Sequence, residues 1–459
     1  MRRRASTALA VTAAMLAVGV PPAGAITPPE VDPGATPPSG SAGPVGAMAQ
    51  RNPCVTATLT PGMTPGADPG AVDPNRSALN LAQAWTHSRG EGQTVAVLDT
   101  GVRPGPRLPN VEAGGDFVAA GDGLTDCDGQ GTLAAGLIAG QPGPDGFSGV
   151  APEARILAIR LTSPRYAPRD GGEDPVVTRA TVEAQAMARA IVRAADLGAR
   201  VISISAVTCV PAGRNFDQSG LGAALRYAAV DKDAVIVAAT GDGGAASGCG
   251  ANPLGDPALP SDPRNWSGVT AVSIPAWWQD YVLSVGSLGA DGTPSPFTLA
   301  GPWVGIAAPG ENIVSVSNDD TGSLADGLPG GQDQIDPIRG TGYATSYVSG
   351  VAALVRSRFP ELTARQVIER LTGTAQAAAT APSNLVGAGR LDPVAALTWN
   401  VPATAGDTDA AAVKPVAAPP PPPTRDPVPR VVAFAGAGVL ALVVLAVCVL
   451  NARRKETPS

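Results

Sequence analysis

The sequence predicts an α/β domain built on a central parallel sheet, and three observations lead there. Short apolar runs alternate with helical segments from about residue 75 to residue 393. The apolar runs carry no polar alternation, as expected of strands whose two faces are both covered by helices. The helical segments are rich in alanine and keep their larger apolar side chains on one face.

The strands are read at Thr94-Val95-Ala96-Val97-Leu98, Ile156-Leu157-Ala158-Ile159, Val201-Ile202-Ser203-Ile204 and Ala234-Val235-Ile236-Val237. Between the last three come helices over 181–197, with Val182, Met187, Ile191 and Val192 on the apolar face, and over 221–230. Strand and helix in this order give a parallel sheet with crossover helices, and such sheets place their sites at the carboxyl ends of strands. No internal repeat is visible.

The two ends of the 459-residue chain read differently. Arg2, Arg3 and Arg4 precede an apolar stretch over 8–20, and Ala23-Gly24-Ala25 offers a small-x-small cleavage site. That is a secretory signal over 1–25, too short to span a bilayer and closed by Pro21-Pro22. Residues 431–450 are free of charge and match the hydrocarbon thickness, and Arg453, Arg454 and Lys455 follow in the tail 451–459. Positive residues stay on the cytoplasmic side, so the tail is expected inside and everything upstream outside. A proline-rich linker over 401–430, with five consecutive prolines from Pro419 to Pro423, is expected as an extended spacer. An extension over 26–74, Pro/Gly-rich and poorly ordered at its start, precedes the main domain over 75–400.

Composition excludes some functions. A net charge of −7 with few basic residues leaves no footprint for nucleic acid. Cys54, Cys127, Cys209 and Cys249 fall outside the membrane, where disulfides persist, and Cys448 falls within the anchor. Four cysteines allow three pairings, among which spacing does not choose. Their wide spacing, with His87 as the sole histidine, speaks against a metal site, and no cofactor motif is present.

Three segments at strand ends carry chemistry. Leu98-Asp99-Thr100-Gly101-Val102 puts a carboxylate at the end of the first strand; alone, such an aspartate is an ordinary turn or capping residue. The run from Asp126-Cys127-Asp128-Gly129-Gln130-Gly131-Thr132 to Gly140 starts a helix of small residues, which implies close packing. Arg339-Gly340-Thr341-Gly342-Tyr343-Ala344-Thr345-Ser346 is a glycine turn running into another small-residue helix.

Together these segments resemble the subtilisin-type serine proteases of the S8 family. In that family the first carries the triad Asp, the second a His in His-Gly-Thr, and the third a Ser in Gly-Thr-Ser-x-Ala, in this order. The resemblance spans most of the body and implies the three-layer subtilisin-like fold. Further features are similar to the mycosins, membrane-anchored subtilases associated with type VII secretion: Ala84-Trp85 with Ser88-Arg89-Gly90, Asp126-Cys127-Asp128, Cys209-Val210-Pro211, Gly248-Cys249 with Asn252-Pro253, and the signal-plus-anchor layout. By that similarity Cys54 pairs with Cys127 and Cys209 with Cys249. The extension up to about Asn75 would wrap the domain rather than act as a removable inhibitory propeptide. The implied partner is the type VII secretion membrane complex.

The chain departs from the family pattern at the chemistry. Gln130 stands at the His position, Gly342 at the Ser position, and Asp242, within Ala238-Ala239-Thr240-Gly241-Asp242, at the oxyanion-hole Asn position; Asp99 alone is retained. Triad chemistry needs a base that takes the hydroxyl proton and returns it to the leaving amine. A Gln amide does neither near neutrality, though it can donate a hydrogen bond to Asp99. Gly342 has no oxygen to attack a carbonyl. An ionised Asp242 puts negative charge where the transition state develops it.

Stand-ins are few. His87 lies before the first strand, out of place as a base. Ser346, four residues past Gly342, has no evident base, and no lysine lies near a motif for a Ser/Lys dyad. The sedolisins, a carboxyl-based relative with Asp in the oxyanion hole, need Glu and Ser where this chain has Gln and Gly. The expectation is a subtilisin-type serine protease by ancestry that is catalytically dead, serving as a scaffold in secretion. The alternatives are a peptide-binding module that keeps the groove, and an active protease with relocated residues.

Overall fold

Alternate residues of the central strands divide between two cores, which explains why the strands show no polar side. A computed structural model of the protein describes residues 26–62, 74–169, 174–244, 249–255, 261–331, 334–378, 382–401, 435–444 and 446–447. The signal over 1–25, the tail over 451–459 and the linker beyond residue 401 lie outside the described residues.

The sheet consists of β1 (Thr94–Asp99), β2 (Val111–Asp116), β3 (Arg155–Arg160), β4 (Val201–Ile204), β5 (Val235–Ala239), β6 (Val282–Leu288) and β7 (Val304–Pro309). Their order is β7-β6-β5-β4-β1-β3-β2, and every pairing is parallel. In β1, Val95 pairs with Ile156 on one side and Val201 on the other. Val95 and Val97 face a core shared with α1 (Gln130–Ala139) and α4 (Thr341–Arg358). Ala96 and Leu98 face a second core shared with α2 (Pro175–Asp196) and α3 (Ser219–Arg226). Helices on both faces of a parallel sheet make the three-layer subtilisin-like arrangement that was expected.

Local chemistry sets the helix ends. Helix α2 begins six residues before the expected residue 181, because Asp174 accepts from the amides of Val176 and Val177 and Pro175 takes the first turn. Helix α5 (Ala364–Gly373) starts with a reciprocal cap between Thr363 and Gln366. The small residues of α1 do pack closely. A side chain at Gly131 would collide with the Gly101 carbonyl, and one at Gly136 with the Ser315 hydroxyl.

The described part of the extension, 26–62, lies along the domain. Met48–Gln50 pairs antiparallel with Tyr166–Pro168. The Val55 amide donates to the Cys127 carbonyl, and the Ala57 amide to Asn318 Oδ1, both at 2.9 Å. Disulfides Cys54–Cys127 and Cys209–Cys249 form the pairs that the resemblance implied.

Two compact units are present, Met1–Ala403 and Thr404–Ser459. In the second, residues 435–444 and 446–447 are helical with exposed side chains. Among the described residues no helix is long and apolar enough to cross a membrane; eight residues of the expected anchor 431–450 fall outside them.

Candidate functional site

Asp99 ends β1 and is 3 % exposed. The turn that follows is organised by a residue the sequence singled out only as part of a motif. One oxygen of Asp126 accepts from Thr100 Oγ1 at 2.8 Å and from the amides of Asp128 and Gly129 at 3.1 and 2.8 Å. Its other oxygen accepts from the Thr132 amide at 2.8 Å and Thr132 Oγ1 at 2.7 Å. A buried carboxylate with five donors fixes both the β1 end and the start of α1, where its charge also suits the positive helix end. Its neighbour Asp128 accepts from Ser163 Oγ at 2.5 Å and pairs with Arg165 at 3.4 Å.

The carboxyl of Asp99 is therefore buried beside two other acidic groups. Burial is the main cause that pushes it up to about 7, and the Asp126 and Asp128 charges add to it. The Ser205 hydroxyl and the Thr100 amide pull the other way. An imidazolium would normally offset such burial, but the position holds Gln130. That residue is the first of α1 and exposed. Among the described residues its amide makes no hydrogen bond, so the one it could donate to Asp99 is not formed.

The third segment supplies the opposite wall. Gly340 adopts φ of +150°, and a side chain there would come within 2.9 Å of Asp242 Oδ2, so glycine is required on both counts. Helix α4 then starts at Thr341, whose amide and hydroxyl both donate to Asp242 Oδ1 at 2.8 Å. The Gly241 amide in turn donates to Thr341 Oγ1 at 3.2 Å. Burial raises the Asp242 carboxyl, while the two Thr341 bonds and the more distant Arg339 lower it. The positive end of an 18-residue helix is thus already engaged by a carboxylate. A developing oxyanion there would meet negative charge instead of a donor.

A groove of about 420 Å³ joins these parts. Gln130, Ser205, Asp242, Thr341 and Gly342 line it, together with Arg179 and Glu183. Asp99 is not among the lining residues. Gly342 contributes backbone only; a Cβ there would stand 3.0 Å from Ser205 Cβ, a tight fit. Ser205, immediately after β4, was missed by sequence reasoning, although its place at a strand end was a usable signal. Ser346 is buried and turns its hydroxyl back to the Gly342 carbonyl at 3.2 Å. The His87 amide closes a turn onto the Ala84 carbonyl, and the residue is not part of the groove. No cluster of potential metal ligands occurs among the described residues.

The geometry agrees with what the chain is similar to. The family model Peptidase_S8, the subtilase family, matches residues 90–389. Mycosin-3 of Mycobacterium tuberculosis (strain ATCC 25618 / H37Rv) is 58% identical over 465 residues, covering 100% of both chains. The solved MycP3 protease from the type VII (ESX-3) secretion system superposes with a TM-score of 0.78 at 66% identity, over 82% of this chain and 100% of that one. A chain of an intact ESX-5 inner membrane complex superposes with a TM-score of 0.79 at 45% identity, over 93% of this chain and 100% of that one.

Proposed function

Since the chain belongs to the subtilase family and, within it, to the mycosins, we propose that it is a membrane-anchored pseudoprotease that supports a type VII secretion membrane complex as a structural component. One observation carries the non-catalytic part: Asp242 engages the α4 terminus in a groove that offers Gln130 and Gly342 where a base and a nucleophile would act. Removing either the serine or the histidine from a subtilisin costs about 10⁶ in kcat. Here both are replaced and the oxyanion donor with them.

The scaffold part rests on the similarity to a chain of the ESX-5 inner membrane complex and of its periplasmic assembly. In this reading 1–25 is removed as a signal, 26–74 wraps the domain over 75–400, and 401–430 spaces it from an anchor over 431–450. The charge-free run with Arg453, Arg454 and Lys455 behind it supports a single span with a cytoplasmic tail over 451–459.

Incubating the full-length protein with casein and a serine-reactive fluorophosphonate tests the first part; turnover or labelling would overturn it. A strain lacking residues 431–450 tests the second, with secretion expected to fail. Substitutions at Gln130 and Gly342 are expected to leave secretion intact. A second reading, a module that holds peptides without cutting them, is supported by the groove itself, which stays open at about 420 Å³.

A further inference from the structure

The groove carries a carboxylate, Asp242, at the position where the family pattern has an uncharged amide. We propose that the groove holds an uncleaved, extended peptide by a lysine or arginine side chain, received by the outer oxygen of Asp242. This inference rests on the non-catalytic reading above.

Four observations meet at this place. Asp242 lines the groove, and its Oδ1 is committed to the two Thr341 donors. Among the described residues Oδ2 accepts no hydrogen bond, so one acceptor is left over on a partly buried carboxylate. A carboxylate stripped of part of its water gains from a partner of opposite charge, and Arg339, among the described residues the one cation that lowers this carboxyl, is exposed. A ligand ammonium or guanidinium supplies that partner, through charge-assisted hydrogen bonds of about twice the neutral strength. The other charged groups of the lining, Arg179 and Glu183, pair with each other at 2.7 Å, and so do not neutralise Asp242.

Space favours a peptide over a free cation. Gly342 withholds a side chain from the same groove lining. Thr162, Pro164 and Glu183 also line a neighbouring hollow of about 540 Å³, walled by Phe117, Tyr166 and Val182. A basic residue at Asp242 thus leaves the flanking chain an apolar basin to fill, which a lone amino acid cannot do. Cleavage is not part of the step: no bond is made or broken, and the ion pair alone forms.

The test uses the full-length protein in detergent micelles and fluorescein-labelled, acetylated hexapeptides that differ at one central position: lysine, arginine, norleucine or glutamate. Fluorescence anisotropy is expected to show the basic peptides binding at least about tenfold tighter than the norleucine one. Asp242→Asn keeps an acceptor for Thr341 and so preserves the cap, and is expected to erase the preference. Equal affinity for the lysine and norleucine peptides would overturn the proposal, as would a preference that survives in Asp242→Asn. Displacement by arginine amide at the peptide's own concentration would overturn the assignment to a peptide. Mass spectrometry of the same samples keeps the two readings apart. Cleaved peptide would sink the non-catalytic reading, whereas intact peptide without charge preference would sink only this one.

Discussion

Asp242 and Thr341 are joined twice, by the Thr341 amide and by its hydroxyl, both at 2.8 Å from the same carboxylate oxygen. In a working hydrolase of this architecture the helix N-terminus is kept open for the substrate's oxyanion. Here it is closed by the protein's own anion, and several consequences can be measured.

Restoring activity should take three changes together. Gln130→His supplies a base that can be oriented by Asp99, Gly342→Ser a nucleophile, and Asp242→Asn a donor in place of an acceptor. Each single variant is expected to give no turnover of casein, because the groups act as a unit. The triple variant is expected to give a measurable rate, limited by crowding between the new side chain and Ser205 Cβ. Fluorophosphonate labelling in any single variant would contradict this.

Asp99 should make stability depend on pH in an unusual direction. Its carboxyl is raised in the folded state, to about 7, so the fold binds the proton more tightly than the unfolded chain does. The stabilisation is fully present below about pH 4 and is lost as pH rises through about 7. Asp99→Asn, which cannot ionise, should match the parent at pH 4 and exceed it at pH 8, by an amount of the order of a few kcal/mol. Chemical denaturation of both proteins across this range checks the sign.

Thr341→Val keeps the shape but removes the hydroxyl. Asp242 Oδ1 then loses one donor, and the Gly241 amide loses its acceptor at 3.2 Å. A cost of about 1–2 kcal/mol is expected in urea melts, together with a further rise of the Asp242 carboxyl, observable by NMR titration.

Asp126→Ala should be the most damaging of the four. Five donors lose one buried acceptor, and the β1 end and the α1 start lose their common anchor. The loss should exceed about 3 kcal/mol, beyond that of an ordinary helix cap. An unchanged melting temperature would show that the turn is held by packing alone.

What was legible in the sequence, and what was not, follows the physics of each element. The central strands β1, β3, β4 and β5 are unbroken apolar runs and were read within a residue or two. β2, with Glu112, Gly114, Gly115 and Asp116, and β6, with two serines and a glycine, carry no such run. They are strands because of their neighbours, and only the tertiary fold could show them. At the site, Asp99, Gln130, Asp242 and Gly342 could be located one by one. That Asp242 would bond Thr341, and that Gln130 would face solvent without reaching Asp99, depends on side-chain geometry that no motif encodes.

The bond between Cys54 and Cys127 has one more effect. It closes a covalent ring whose two ends lie 73 positions apart in the sequence, so a single cut anywhere inside that ring frees nothing. The amino-terminal arm would stay leashed to the domain at an effective concentration in the millimolar range, and would fall back onto its own binding surface. Zymogens are switched on by expelling such an arm. With the disulfide intact, a cut inside the ring brings no such expulsion, and the chain around Cys54 stays tied to the domain through Cys127.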